Sequence, residues 1–541
     1  MEFYTYLTLE DLHRCRNKII LPIISDFSSE NLEYLALEYI KSYEPYQLIE
    51  FLSWLNMIVS VKEIEEIKLI QNHLLKKAGW PVFPRHILLH RYNLLSLLGL
   101  TLKHIETIKG TVSLSARCLM NSDKFLVALA ILNCHPHKEH DFIRQLIRDF
   151  PNYNYNHFTK IIYFNRILKS YLLFSHKENK EWNDLLDLFK RENELDIKQL
   201  VRSLVGFWQY YSSKFNLNRH QTFFIKDSKF KKFLPAIKYL TSTTAEISKK
   251  FHSQDIKLYN VSIETVLRPF ILKEEGVRFP MDFLSIINTN GALAFEIFKQ
   301  CYFSADNGSE AEQYKTFKDK IYSVISEDIF IKIIKRIFTE NFEETRNQKG
   351  YPDCIVKDNR SIILFEYTTQ EPGYLTIFSQ DISKVKEKYS SILVKRTSQS
   401  SPKAKLQQIS KHISLLENKY KGKKIFPILV TDNHFGDFDL LDQMDYFLTH
   451  CIYEKSLTNL KENKITFLSM DDIFFIFRYK KMNSISNLTK ALLEWNSDFS
   501  LKKDYTYSFS AYLASNCKAI SKNYRSFCGS AFSYLDIKVS Q

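Results

Sequence analysis

Residues 61–77, VKEIEEIKLIQNHLLKK, carry apolar side chains at Ile64, Ile67, Ile70, Leu74 and Leu75, with lysine and glutamate between them. Spacings of three and four put one apolar stripe along a helix. Gly79 stands where such a helix stops. A second helix is predicted after Pro84, over Arg85–Leu98, ended by Gly99. LKHIETIKGTVSLSA follows, which reads as a strand, a turn at Lys109-Gly110 and a second strand alternating through Val112 and Leu114. A fainter copy lies within 195–240: IKQLVRSLVGFWQYYSSKF as a helix, RHQTFFIKD as a strand, then another amphipathic helix. Its cluster of Trp208, Tyr210 and Tyr211 reads as core rather than as a platform for stacked bases.

The pattern changes after CYFSADNGSEAEQ, residues 301–313, a small, polar, turn-prone stretch that reads as a domain boundary. A long helical pattern through 314–339 gives way to alternating strands and helices, the mark of an α/β domain. YPDCIVKD is a short strand, Asp358-Asn359 a turn, and SIILFEYT a buried strand. KAKLQQISKHISLLENKY (403–420) is an amphipathic helix, KKIFPILVTDNH (423–434) a buried strand, and ITFLSMDDIFFIF (465–477) a strand and helix. The expected architecture is multidomain, α plus α/β, with a helical N-terminal half and a C-terminal mixed sheet flanked by helices. Its expected segments are 1–125, 126–245, a helical linker at 246–305, the α/β domain at 306–480 and a helical tail at 481–541.

Helix, turn, helix and glycine hairpin is the order of a winged helix-turn-helix. In that reading the second helix enters a major groove, with Arg85, His86, Arg91 and Asn93 as its polar positions and Lys103 and Lys109 on the wing. The other reading of the same pattern is a helical bundle with an incidental hairpin. Charge favours a polyanionic partner such as double-stranded DNA: the 541 residues carry a formal +14, and each phosphate neutralised releases a counterion. Only 12 glycines argue against a glycine-rich nucleotide-binding fold. The N-terminus lacks a basic start followed by an apolar run, and no stretch of about 18 apolar residues exists, so neither signal peptide nor membrane span is expected. Eight scattered cysteines without CxxC spacing read as reduced thiols of a cytoplasmic protein. The cluster Cys134, His135, His137 and His140 lacks the second ligand pair of a structural zinc and reads as a surface turn.

The chemistry concentrates in GYPDCIVKDNRSIILFEYTTQEPG, residues 350–373. A hairpin here brings Asp353 and Glu366 together across antiparallel strands. Glu366 ends a core-like run, Ser361 to Phe365, and a carboxylate there needs a compensating cation or donor. Two such groups around a divalent ion make a Mg²⁺ site, with Mn²⁺ as a substitute, that can polarise a phosphodiester.

Asp353 after Pro352, a hairpin, then Glu366 after a hydrophobic strand resembles the PD-(D/E)XK nuclease superfamily, and the helix and strands after it agree over roughly 170 residues. The resemblance implies metal ligation by Asp353, Glu366 and the Tyr367 carbonyl. The superfamily's lysine two residues after the acid is replaced by Thr368. The Glu-x-Thr-Thr variant is similar to the AlwI-type group of type IIS restriction and nicking endonucleases, with a FokI-like general plan. In that group the substitute for the lysine lies further along the chain, which here points to Lys384 or Lys386. Glu327 stands where some relatives carry an additional helix carboxylate; otherwise it is a surface glutamate. The implied function is a Mg²⁺-dependent DNA endonuclease, a type IIS restriction or nicking enzyme cutting away from its recognised sequence. Cutting both strands would need a transient homodimer or a second subunit. The alternatives are a defence or mobile-element nuclease without a fixed site, and a catalytically inactive nuclease fold that binds DNA.

Overall fold

A computed structural model of the chain describes residues 29–61, 64–80, 82, 88–89, 91–114, 122–132, 168–214, 224–253, 268–281, 293–370, 387, 391–393, 404–432, 465–479, 482–501, 509 and 512–513. The chain divides into two compact units. One takes Met1–Phe142, Tyr155–Thr159 and Leu185–Cys301; the other takes Ile143–Asn154, Lys160–Asp184 and Tyr302–Gln541. Among the described residues, no helix is long and apolar enough to cross a membrane.

The first unit begins with helices α1 (Ser29–Ile40), α2 (Pro45–Val61), α3 (Ile64–Lys77), α4 (Arg91–Lys103) and α5 (Ser122–Leu132). Their shared core includes Phe51, Leu55, Leu95, Leu98 and Phe125, all fully buried. The stripe predicted for 61–77 becomes α3. Gly99 does not end α4, which runs on to Lys103. Leu97, Leu98, Leu100 and Leu102 are buried together, and that packing outweighs the roughly 1 kcal/mol that glycine costs inside a helix. The predicted hairpin does not form. Ile105–Ile108 is a turn closed by Thr107 and Ile108 amides on the His104 carbonyl, and Val112 makes only an isolated bridge to Tyr43. Val112 donates to Ser42 O at 2.9 Å and accepts from the Glu44 amide at 3.0 Å. Gly110 is the price of that approach: a Cβ there would sit 2.1 Å from the Ser42 carbonyl carbon. Of the two readings of this segment, the structure shows the helical bundle.

Further along come α6 (Lys180–Asn193), α7 (Ile197–Lys214), β1 (Ile225–Lys226), α8 (Leu234–Tyr239), β2 (Thr241–Ser242), α9 (Thr244–Ser253), β3 (Phe270–Glu274) and β4 (Val277–Pro280). The four strands order β1-β4-β3-β2. β4 is antiparallel to both β1 and β3, and β2 lies parallel to β3. Phe207 of α7 packs on Phe230, Phe233 and Phe270. Tyr210 stacks edge-on against Phe230 at 5.0 Å, consistent with the core reading; the side chains of Trp208 and Tyr211 lie outside the described residues. The segment 246–305, expected to be helical, contributes two strands, and the expected boundary at 245/246 falls inside α9. Those strands escape a periodicity search because each has only four or five residues.

The second unit contains α10 (Glu310–Phe317), a π-helical turn at Lys318–Tyr322, and α11 (Ser323–Ile337). There follow β5 (Phe342–Glu344), β6 (Cys354–Lys357), β7 (Ser361–Thr368), α12 (Lys405–Lys419), β8 (Lys424–Thr431), β9 (Thr466–Ser469), α13 (Met470–Arg478) and α14 (Ile485–Leu501). The sheet runs β5-β6-β7-β8-β9 in sequence order. The first two pairings are antiparallel and the last two parallel, so this is a mixed sheet flanked by helices. Residues alternate across a strand, and β7 shows it: Ile362 and Leu364 join the core beneath α12, while Phe365 and Tyr367 meet Phe330 of α11. Ser469 and Asp472 form a reciprocal capping box that starts α13 directly from β9.

Candidate active site

β6 and β7 pair in a register that sets Cys354 against Phe365. One step outward, the same register places Asp353 opposite Glu366, so both side chains lie on one face of the hairpin. Asp353 is held from two sides. Its carbonyl accepts the Thr345 amide at 3.1 Å, and its carboxylate accepts the Tyr367 amide at 2.7 Å. Glu366 is buried at the sheet's centre. Burial acts against its charge, but Lys405 and His412 outweigh it and hold the carboxyl below its ordinary range.

Lys405 is the residue the sequence reading missed. Its ammonium donates to Glu366 Oε1 at 2.8 Å and to the Tyr367 carbonyl at 3.2 Å. It is the first residue of α12, where a positive charge opposes the helix dipole. The carboxylates of Glu366 and Asp353 compensate, and despite burial they raise the lysine above its ordinary range. Lys405 therefore delivers its ammonium beside the acidic residue from 39 positions further along the chain. Thr368, at the usual lysine position, is buried and accepts the Gln370 amide at 3.1 Å. Its hydroxyl closes the turn after β7 and supplies no charge. Lys384 and Lys386 lie outside the described residues.

His412 stands seven residues beyond Lys405 on α12. Its Nδ1 lies 2.7 Å from the Gly350 carbonyl, and its Nε2 is 3.5 Å from Glu366 Oε2. A carbonyl only accepts, so Nδ1 carries a proton. The imidazole thus ties the β5–β6 turn, where Gly350 sits at φ +86°, to the central carboxylate. A sequence signal for it existed: His412 occupies a buried position of the stripe Ile409, Ile413 and Leu416.

Glu327 on α11 is half-buried and pushed up from its ordinary range, first by burial. Its charge also raises Asp353, whose upward shift comes first from burial and then from Glu366. Arg346 lies 3.9 Å from Glu327, 2.6 Å from Glu344 and against Asp328. Glu366 bonds Lys405 directly, and the charges of Asp353 and Glu327 act on the same buried lysine. Asp353 and Glu366, joined by the Tyr367 carbonyl, offer hard oxygen donors around Lys405. That set suits Mg²⁺ or Mn²⁺. Among the described residues a separate group, His176, Glu178 and Asp328, brings ligand atoms within 4.8 Å of one another. Protein cations already serve it: Lys332 holds Glu178 at 2.5 Å and Arg346 holds Asp328.

The DNA-contact residues expected near the N-terminus fare differently. Asn93 is fully buried and donates to the Leu88 carbonyl at 3.1 Å, so it cannot read a base; it ties the start of α4 to the preceding chain. Lys103 belongs to the end of α4 rather than to a wing, and Glu33 takes its ammonium at 3.2 Å. Lys109 is exposed on a loop. Arg85, His86 and the Arg91 side chain lie outside the described residues, as does the 134–140 cluster.

No family model, curated protein or solved structure matches this chain.

Proposed function

We propose that the second unit is the cleavage domain of a Mg²⁺-dependent endonuclease that hydrolyses phosphodiesters of duplex DNA. The observation that carries the reading is Lys405, whose ammonium lies on both Glu366 and the Tyr367 carbonyl beside Asp353. Asp353, Glu366 and the Tyr367 carbonyl would hold the ion, which when bound supplies Lewis-acid stabilisation of the charge that develops on the phosphate. The remaining work falls to the chain. Lys405, kept protonated by its two carboxylates, orients a water and offsets charge on the phosphoryl oxygens. His412 keeps Glu366 in place through Oε2, and the Tyr367 amide does the same for Asp353 through Oδ2. The replacement of the usual lysine by Thr368 is the motive for reading an inactive fold, and the buried lysine arriving from α12 weighs against it.

By its resemblance the enzyme is a type IIS restriction or nicking endonuclease, with one copy nicking and two copies cutting both strands. The purified chain incubated with assorted plasmids, Mg²⁺ or EDTA, followed by end sequencing, tests the reading. Metal-dependent ends at a constant distance from a shared sequence are expected. Ends without a shared sequence would leave a nuclease free of a fixed site, and absence of metal-dependent ends would overturn the proposal.

A further inference from the structure

The sequence pattern placed duplex recognition at residues 85–109, with a fainter copy within 195–240; the described part of the first segment belongs to a helical bundle in which Asn93 is buried and Lys103 is paired. Further along the first unit, the described elements run α7, β1, α8, β2, α9, β3, β4, with β4 between β1 and β3 and antiparallel to both, and the two-residue β2 added in parallel on the far side of β3. That is the connectivity of a winged helix-turn-helix, in which α8 and α9 are the paired helices, α9 is the one that meets the groove, and the β3–β4 turn is the wing.

Charge on this segment is one-sided. Residues 224–253 contain seven lysines (Lys226, Lys229, Lys231, Lys232, Lys238, Lys249, Lys250) against two acids, Asp227 and Glu246, a surplus of 7 − 2 = +5. Both acids are engaged. Asp227 pairs with Arg278, and Glu246 Oε2 accepts the Thr243 amide at 2.7 Å in a reciprocal cap at the start of α9. Lys226, Lys229, Lys231 and Lys232 are exposed. Lys226 lies over the Phe224 ring at 5.5 Å and Lys232 over Phe233 at 4.8 Å, contacts that hold lysine stems against the surface.

One stripe of α9 is spoken for. Thr244, Ser248 and His252 reach Glu106 and the Lys103 carbonyl. The exposed side carries Ala245 and Lys249, one turn apart, with the capping Glu246 beside them. A short side chain followed by a lysine lets the helix approach a backbone closely while offering one cation. The wing ends in Glu274 and Glu275, both exposed, a tip that phosphates would repel.

We propose that residues 197–280 are a duplex-DNA-binding module, with α9 at the groove through Ala245 and Lys249, and with Lys231 and Lys232 on the flanking phosphates. The choice of duplex DNA as occupant rests on the nuclease reading, and the lysine surplus supplies the complementary charge.

The test uses the full chain in EDTA, titrated against a labelled duplex at several salt concentrations, alongside a separate Mg²⁺ cleavage assay. The variants are Lys249→Glu and the double variant Lys231→Glu/Lys232→Glu; Lys315→Glu on α10 is the control. Every substituted side chain is exposed, and thermal melting checks folding. Expected are at least tenfold weaker binding for both test variants, a shallower dependence on salt, and binding within twofold of wild type for Lys315→Glu. Test variants that bind within twofold of wild type, or a wild type that binds no duplex, overturn the inference. Loss of binding in both variants with a wild type that never cleaves upholds this module and sinks the nuclease reading. Cleavage by the wild type with undiminished binding by the variants does the reverse.

Discussion

Two buried carboxylates of the second unit each meet a lysine at 2.8 Å, Glu366 with Lys405 and Asp432 with Lys169. They sit on neighbouring parallel strands, and one residue links them. The backbone of Tyr367 serves Asp353 and Lys405, while its hydroxyl donates to Asp432 at 2.5 Å. Around Asp432 the account closes: Tyr322 donates at 2.7 Å, and Lys169 bonds the side chain and the carbonyl. These partners outweigh burial and hold Asp432 below its ordinary range. Around Glu366 it does not close. Asp353 and Glu327 press on the same lysine, and Asp353 is raised by burial and by Glu366. Breaking a matched buried pair strands a charge and destabilises the fold, whereas a surplus of carboxyls around one lysine is held at a cost to stability. Burial and ion pairing alone therefore do not distinguish a structural acid from a catalytic one. The crowding of carboxyls on Lys405 is what sets Glu366 apart from Asp432.

The sharpest way to break this comparison is to remove an acid from the surplus side. Asp353→Ala and Glu366→Ala are each expected to abolish metal-dependent cleavage, a loss of several kcal/mol in transition-state stabilisation, with duplex binding retained. Cleavage by Asp353→Ala at the wild-type rate, measured on a plasmid substrate, would end the assignment.

Removal of the matched acid should act on stability instead. Asp432→Ala strands Lys169 and two tyrosine hydroxyls in the interior, and about 3–5 kcal/mol is expected to be lost. Denaturant unfolding measures this. A variant of wild-type stability that cannot cleave would move Asp432 into the site.

Lys405→Ala is expected to reduce the cleavage rate by about 10²–10³, the scale of removing one preorganised charge donor. Lys405→Arg keeps the charge but not the shape, and should recover part of it. Single-turnover rates decide, and an unaffected Lys405→Ala enzyme would return the role to a residue outside the described ones.

The smallest effect concerns pH. Asp353 is raised in the folded chain, so the native state holds its proton more tightly than the unfolded state does. Stability from this group is present below the unfolded carboxyl range and is lost as pH rises through the folded value. Asp353→Asn should therefore raise the melting temperature at neutral pH while ending cleavage. Mg²⁺ should raise the melting temperature of the wild type more than that of the variant. For Glu366 and Asp432 the sign is opposite: both are lowered, and their contribution fades as pH falls through their folded values. If Asp353→Asn melts below wild type at neutral pH, the charge surplus is not what sets this site apart.

The sequence by itself determined the hairpin and its carboxylates. SIILFEYT is a core-like run broken by one acid, and a two-strand register needs nothing beyond local pairing to set Asp353 against Glu366. It also determined α3, α12 and the buried strand β8, where apolar spacing is long and regular. It misread 102–114 as a hairpin, because alternation over so few residues looks alike in a strand and in a helix end capped by a turn. The strands at 270–280 were too short to declare themselves, and Gly99 mattered less than the leucines packed around it. Only the tertiary structure brought Lys405 to Glu366. A search along the chain looks near Glu366, whereas the ammonium of Lys405 arrives from the start of the next described helix, brought there by α12 packing over β7 and β8. Strand pairing is fixed by neighbours in sequence; the convergence of charges from separate elements is fixed by how those elements pack.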